Sequence, residues 1–141
     1  MPISSIYSKT ISIPKTAIDE NGHVNNVTYV QWMQDIAVEH YASIGGVQAQ
    51  GPDATWVIRE HRIEYFLPAF ENEEIEIRTW VENIRRVRSL RKYEFVRKSD
   101  GKVLVKGESD WVFVGVKTGR PLAIPIEVEN IFKDPKGLKD L

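Results

Sequence analysis

One stretch of this chain sustains helical periodicity over several turns, and almost everything after it reads as strand. Val30, Met33, Ala37, Tyr41 and Ile44 recur at the three-four step of a single helical face, and Tyr29, Trp32 and Ile36 widen the stripe. Gln31, Gln34, Asp35 and Glu39 keep only a narrow polar side, so such a helix has to be enclosed by other elements. The spacing predicts a helix from Asn26 or Thr28 to Ile44. Asn25 or Asn26 could cap it, and so could Thr28 with Gln31 as a capping box. Gly45-Gly46 supplies a left-handed stop.

Strand patterns surround this helix. Residues 6–13 read as a first strand, ended by Pro14, which withholds a backbone donor. Beyond a loop carrying Gly51-Pro52, strands are expected over 55–66, 74–83, 89–98 and 103–116. The second of these is the clearest, because Ile75, Ile77, Thr79 and Val81 alternate with Glu74, Glu76, Arg78 and Glu82. Ser99-Asp100-Gly101-Lys102 is a hairpin signal that pairs the last two strands antiparallel. Gly119-Arg120-Pro121 marks a further turn, 126–132 can form a short helix after Pro125, and the last residues are expected to fray. One strand, one helix and a run of meandering strands make an α+β domain over 1–141, with an antiparallel sheet packed on and curled round the helix. A single layer of this kind leaves a sheet edge open, so a homo-oligomer is expected.

Composition excludes more than it suggests. Nineteen basic and 20 acidic side chains nearly cancel, so no global field recruits nucleic acid or an anionic membrane. The absence of cysteine removes disulfides, thiolate metal sites and cysteine nucleophiles together, and fits a reducing compartment. No export signal and no run of about 18 apolar residues is present, so a cytoplasmic protein is expected.

Chemistry concentrates just before the helix, in Asp19-Glu20-Asn21-Gly22-His23-Val24-Asn25-Asn26-Val27-Thr28-Tyr29. A helix N-terminus offers unpaired N–H groups and partial positive charge to an oxyanion, with Asp19 a short loop upstream as base or nucleophile. That pairing suits acyl transfer. Were the loop extended, the two-residue steps would point Asp19, Asn21 and His23 to one side. The plainer readings are a turn-forming Asp19, a His23 that only hydrogen-bonds the first helical turn, and amides at Asn25 and Asn26 that only cap.

The pattern Asp19-x-x-Gly22-His23-Val24-Asn25-Asn26-x-x-Tyr29, followed by an aromatic-rich helix and a strand ending Tyr65-Phe66-Leu67-Pro68, resembles the hotdog-fold thioesterases of the 4-hydroxybenzoyl-CoA and acyl-ACP thioesterase group. The resemblance implies that Asp19 acts as nucleophile or general base toward a thioester, and that the backbone N–H of Asn26 polarises its carbonyl. The Asp19, Asn21 and His23 spacing is similar to one that carries catalysis in plant acyl-ACP thioesterases. It further implies dimers or tetramers and no cofactor.

Other candidates are weaker. Arg85, Arg86 and Arg88 sit in the most basic stretch, 85–92, read either as a solvated hairpin end facing the acidic strand before it or as a receiver of coenzyme A phosphates. Tyr29 reads as core or as the wall of an acyl tunnel, and Gly22 as a position where a Cβ would obstruct the turn. His40 and His61 read as surface or sheet histidines. A metal site made with Asp19 and His23 is disfavoured. The expected function is therefore hydrolysis of acyl-CoA or acyl-ACP thioesters. The alternatives are a non-catalytic acyl-CoA-binding hotdog protein and a hotdog hydratase or dehydratase.

Overall fold

The computed structural model describes residues 2–135. Strand β1 (Tyr7–Ser12) is followed by a 3-10 turn (Lys15–Ala17) and the long helix α1 (Asn26–Ser43). A short helix α2 (Gly46–Gln50) precedes strands β2 (Ala54–Tyr65), β3 (Glu74–Arg85), β4 (Arg88–Arg97) and β5 (Val103–Gly115). Helix α3 (Ile126–Lys133) comes last. The expected elements are all present within two residues at either end. The final residues expected to fray lie outside the described residues.

The strands form one five-stranded sheet in the order β1-β3-β4-β5-β2, every neighbouring pair antiparallel. Tyr29, Met33, Ile36 and Ala37 of α1 pack with Ile75, Ile77, Tyr93, Phe95, Leu104 and Val105 from the three central strands. The alternation in β3 holds: Ile75, Ile77, Thr79 and Val81 are buried, while Glu76, Arg78 and Trp80 are only half-buried. Two edges remain, the short β1 and the 12-residue β2.

Three details differ from the sequence expectation. The buried stripe of α1 is Tyr29, Met33, Ile36, Ala37 and His40, so Val30 and Tyr41 sit at its margins and a histidine sits within it. Asn25 is the cap, its side-chain oxygen accepting from Val27 N at 2.9 Å. The two glycines also divide their work. Gly45 takes the left-handed turn (φ 84°), whereas Gly46 opens α2 against the Tyr41 ring, where an added Cβ would lie 2.3 Å from ring atoms. A stop signal read along the chain cannot show that a second helix starts at once.

Candidate active site

The motif before α1 folds as a closed turn. Ile18 and Val24 form an antiparallel bridge. Inside it, Gly22 N donates to Asp19 O at 3.0 Å and Asp19 N to His23 O at 3.1 Å. Asn21 N donates to Asp19 Oδ1 at 2.9 Å, an aspartate closing a turn with its own side chain. Gly22 has φ 84°, and nothing lies within 4 Å of where a Cβ would stand. The glycine is therefore required by backbone conformation, and the expected steric obstruction is absent. Nor is the loop extended. Asn21 is exposed, and the His23 ring meets the edge of Phe70 with centroids 6.4 Å apart.

Val24 and Asn25, on the far side of the turn, are pinned to two different segments. Val24 N donates to Ala69 O and Asn25 N to Ala17 O, both at 2.9 Å. The helix begins at the next residue, and helix geometry gives the N–H of Asn26 no acceptor inside α1. One short braced segment thus carries both a carboxylate and a free helix N-terminus. Oδ1 of Asp19 is held by the turn, and Oδ2 has no partner among the described residues. The rim is apolar and open: Val27 is 74% exposed, Phe66 51% and Phe70 44%.

Tyr29 lies beneath this rim at 2% exposure, edge-on to Trp32, Tyr65 and Phe95 with centroids 5.1–5.8 Å apart. Burial first, then the neighbouring Tyr65 and Glu73, push its phenol up to about 12, so it stays protonated. It is a core residue under Tyr65.

The arginines of the β3–β4 hairpin are elsewhere. Glu74, at the start of β3, adjoins the turn region through Ile13 N, which donates to Glu73 O at 2.9 Å. Arg85 ends the same strand, roughly 36 Å away at ~3.3 Å per residue. Arg85, Arg86 and Arg88 are exposed, and Arg86 takes a left-handed φ of 52° in the hairpin turn. Arg88 pairs with Asp110 of β5, so its acidic partner comes from the following strand and not the preceding one. Within one protomer these arginines and Asp19 are not brought together.

A second concentration of polar groups, unforeseen from the sequence, lies near the other end of α1. His40 was expected as a surface or sheet histidine and Arg91 fell within the basic stretch 85–92 read as solvated or phosphate-binding, but they are 3% and 4% exposed. Arg91 Nη1 donates to His40 Nδ1 at 2.8 Å and to Thr79 Oγ1 at 3.1 Å. Because guanidinium can only donate, Nδ1 is the acceptor and the ring proton sits on Nε2. Burial, then the charge of Arg91, holds His40 down at about 3, so the ring is neutral. Tyr7 stacks on that ring at 5.2 Å. Alternation along β4 was the available signal: Ser89, Arg91, Tyr93 and Phe95 share its buried face. Among the described residues no three His, Asp or Glu side chains converge as a metal site, and no helix is long and apolar enough to cross a membrane.

A five-stranded antiparallel sheet holding one long helix, with a braced turn delivering an acid to that helix's N-terminus, is the hotdog arrangement. The chain belongs to the Thioesterase-like superfamily, whose family model matches residues 13–132. Solved structures agree on the fold. A 1,4-dihydroxy-2-naphthoyl-CoA thioesterase from Synechocystis superposes with a TM-score of 0.81 at 13% identity, covering 92% of this chain and 97% of that one. A Staphylococcus aureus protein solved in complex with CoA gives 0.82 at 15% identity, covering 91% and 82%. An acyl-ACP thioesterase from Bacteroides thetaiotaomicron gives 0.82 at 22% identity, and there the match spans 91% of this chain but only 53% of its relative. No curated protein sequence matches the chain at a significant level.

Proposed function

We propose that this protein hydrolyses acyl thioesters of coenzyme A or acyl carrier protein, with Asp19 as the base or nucleophile. The observation that carries this reading is the Asp19 carboxylate, one oxygen fixed by Asn21 N–H and the other unpartnered among the described residues, on the braced segment that opens α1. As general base, Asp19 takes a proton from water while the water oxygen adds to the thioester carbonyl carbon. The C–S bond then breaks, and the leaving thiolate takes up a proton. The N–H of Asn26, with the helix dipole behind it, faces the carbonyl oxygen as it becomes an oxyanion, and one donor of this kind is worth about 2.7–4 kcal/mol. His23 orients the water or relays its proton, Asn21 and Asn25 hold the turn and the cap, and Gly22 supplies the left-handed step between them. The Bacteroides and Staphylococcus relatives, by what they act on or bind, support acyl thioesters as the substrate class. This mechanism calls for no cofactor, because it needs only a carboxylate as base or nucleophile and a polarised carbonyl.

The site is proposed to be completed by a second copy of the chain. β2 is a long edge with Val57 44% and Tyr65 45% exposed, a strand that needs covering. Two such edges pairing about a two-fold axis run antiparallel, so the start of one β2 lies beside the end of the other. The end of β2 adjoins the helix start, since Tyr65 Oη reaches Asn26 O at 3.4 Å, whereas its start shares a sheet end with Arg88 through β5. The pairing therefore carries the arginine hairpin of one protomer toward the Asp19 turn of its partner, where Arg85, Arg86 and Arg88 can meet coenzyme A phosphates. The decisive experiment is thiol release across aromatic, short and long acyl-CoAs and acyl-ACPs, with sedimentation alongside. Tight acyl-CoA binding with no thiol released from any substrate would refute hydrolysis, and a stable monomer at micromolar concentration would refute the shared site.

A further inference from the structure

Beside the buried Arg91 lies a cavity of about 230 Å³, between the second half of α1, α2, and the first residues of β2 and β4. Its walls are mainly apolar: Ala37, Tyr41, Trp56, Trp111 and Phe132 line it beside the polar Gln50, Thr55 and Ser89, and the exposed Val38 stands at its mouth. None of the residues before α1 contributes to it.

Arg91 is out of place in such a wall. Both its hydrogen bonds leave from Nη1, and both partners, neutral His40 and Thr79, lack charge. Its other neighbours of note are the Phe132 ring face, 5.9 Å from Cζ, and the Tyr93 phenol, which acts on it electrostatically. No carboxylate among the described residues pairs with it, and Nε and Nη2 have no partner among them. A guanidinium that is almost wholly buried and still charged at neutral pH is costly unless an anion meets it. Trp56 also lines the cavity, but its Nε1 is fully buried and acts on the Tyr41 hydroxyl, so it offers no donor to a ligand. A buried guanidinium edge with no carboxylate partner, set in mainly apolar walls, describes a site for an anion with a hydrocarbon body.

We propose that this cavity binds an apolar monocarboxylic acid, its carboxylate on the free Nε and Nη2 edge of Arg91 and its chain along Tyr41, Trp56 and Val38. A monoanion balances the single buried charge, and the planar guanidinium edge fits a carboxylate with two parallel hydrogen bonds. A phosphate dianion would arrive with a second charge that nothing there neutralises. The volume suits a medium-length chain, since apolar cavities of ~150 Å³ already admit benzene. Two sources share this chemistry: a free acid, such as the product of thioester hydrolysis, and the far end of an acyl group that itself ends in a carboxylate. The acid site stands without the hydrolase reading; the second source rests on it.

The test titrates the intact protein with octanoate and, as neutral counterpart, 1-octanol, following tryptophan fluorescence because Trp56 and Trp111 line the cavity. Octanoate binds at least about tenfold more tightly than octanol, a gap of roughly 1.4 kcal/mol. Arg91→Met abolishes that preference. Val38→Phe, a change at the exposed mouth that spares the core, weakens octanoate binding at unchanged melting temperature and keeps the test decisive if Arg91→Met does not fold. Equal affinity for acid and alcohol, or no saturable octanoate binding, overturns the proposal. Comparing suberyl-CoA with octanoyl-CoA as substrates then separates the sources: a preference for suberyl-CoA that is lost in Arg91→Met assigns the site to the acyl tail, and no preference assigns it to free acid. Failure to hydrolyse any thioester would remove the hydrolase reading and leave the octanoate result intact.

Discussion

The two ends of α1 solve opposite electrostatic problems. At its N-terminus an acid is half-buried, held by hydrogen bonds of its own turn, with one oxygen left over. Toward its C-terminus a base is buried, held by two neutral acceptors, with two nitrogens left over. The half-buried acid keeps one carboxylate oxygen without a partner among the described residues. The buried guanidinium is costly and cannot be deprotonated at neutral pH, so it can recognise a charge but cannot move a proton. The difference assigns chemistry to one end and recognition to the other.

The largest expected effect tests the acidic end. Asp19→Asn keeps the turn's acceptor and removes basicity, so the protein should melt as before while kcat falls at least about 10²-fold, the lower end of general-base loss. A folded variant with near-native kcat in thiol release would take the acid out of the mechanism. His23→Ala should cost nearly as much if the imidazole forms one acid-base unit with Asp19, and less if it only orients water.

Next comes the reach of the partner's hairpin. Arg86→Ala with Arg88→Ala should raise KM for acyl-CoA about tenfold or more, given ~1.5–3 kcal/mol for each charge-assisted hydrogen bond, and should leave a short pantetheine thioester unaffected. Equal effects on both substrates would sink the phosphate role.

The buried end is read through pH. His40 sits at about 3, below its ordinary value near 6.5, so between those limits the unfolded chain holds a proton that the folded one refuses. Its contribution to stability is therefore complete above about 6.5 and is lost as pH falls toward about 3. His40→Gln, which can still accept from Arg91, should flatten that acid limb by up to about one proton in melting experiments. An unchanged acid limb would mean the ring is protonated in the fold and would reverse the assignment of Nδ1 as acceptor.

The smallest effect belongs to Gly22. With open space around it and φ 84°, alanine there should cost about 1–2 kcal/mol of local strain, lowering activity more than melting temperature because the strain falls on the catalytic turn. Equal loss of fold and activity would make the glycine merely structural.

Whatever depends on near neighbours could be read along the chain. The apolar spacing of α1, the alternation of β3 and the Asp100-Gly101 hairpin each reflect contacts within a few residues, and all three stand in the fold. The acid, glycine and amides before α1 were legible for the same reason, since a turn and a cap are made by the residues that name them. Position along the chain could not say which groups meet across the sheet. Arg91 belonged to a basic run that reads as solvated, and His40 to a helix whose stripe could be centred a residue either way. Only the stacking of α1 on β4 turned both inward, 51 residues apart in sequence and 2.8 Å apart in space. Likewise only the length of β3 shows that the arginines and Asp19 lie far apart within one protomer, so that a shared site needs a second copy. Local sequence decides which groups a segment offers, whereas the burial and the charge each one meets depend on strands that arrive from elsewhere in the chain.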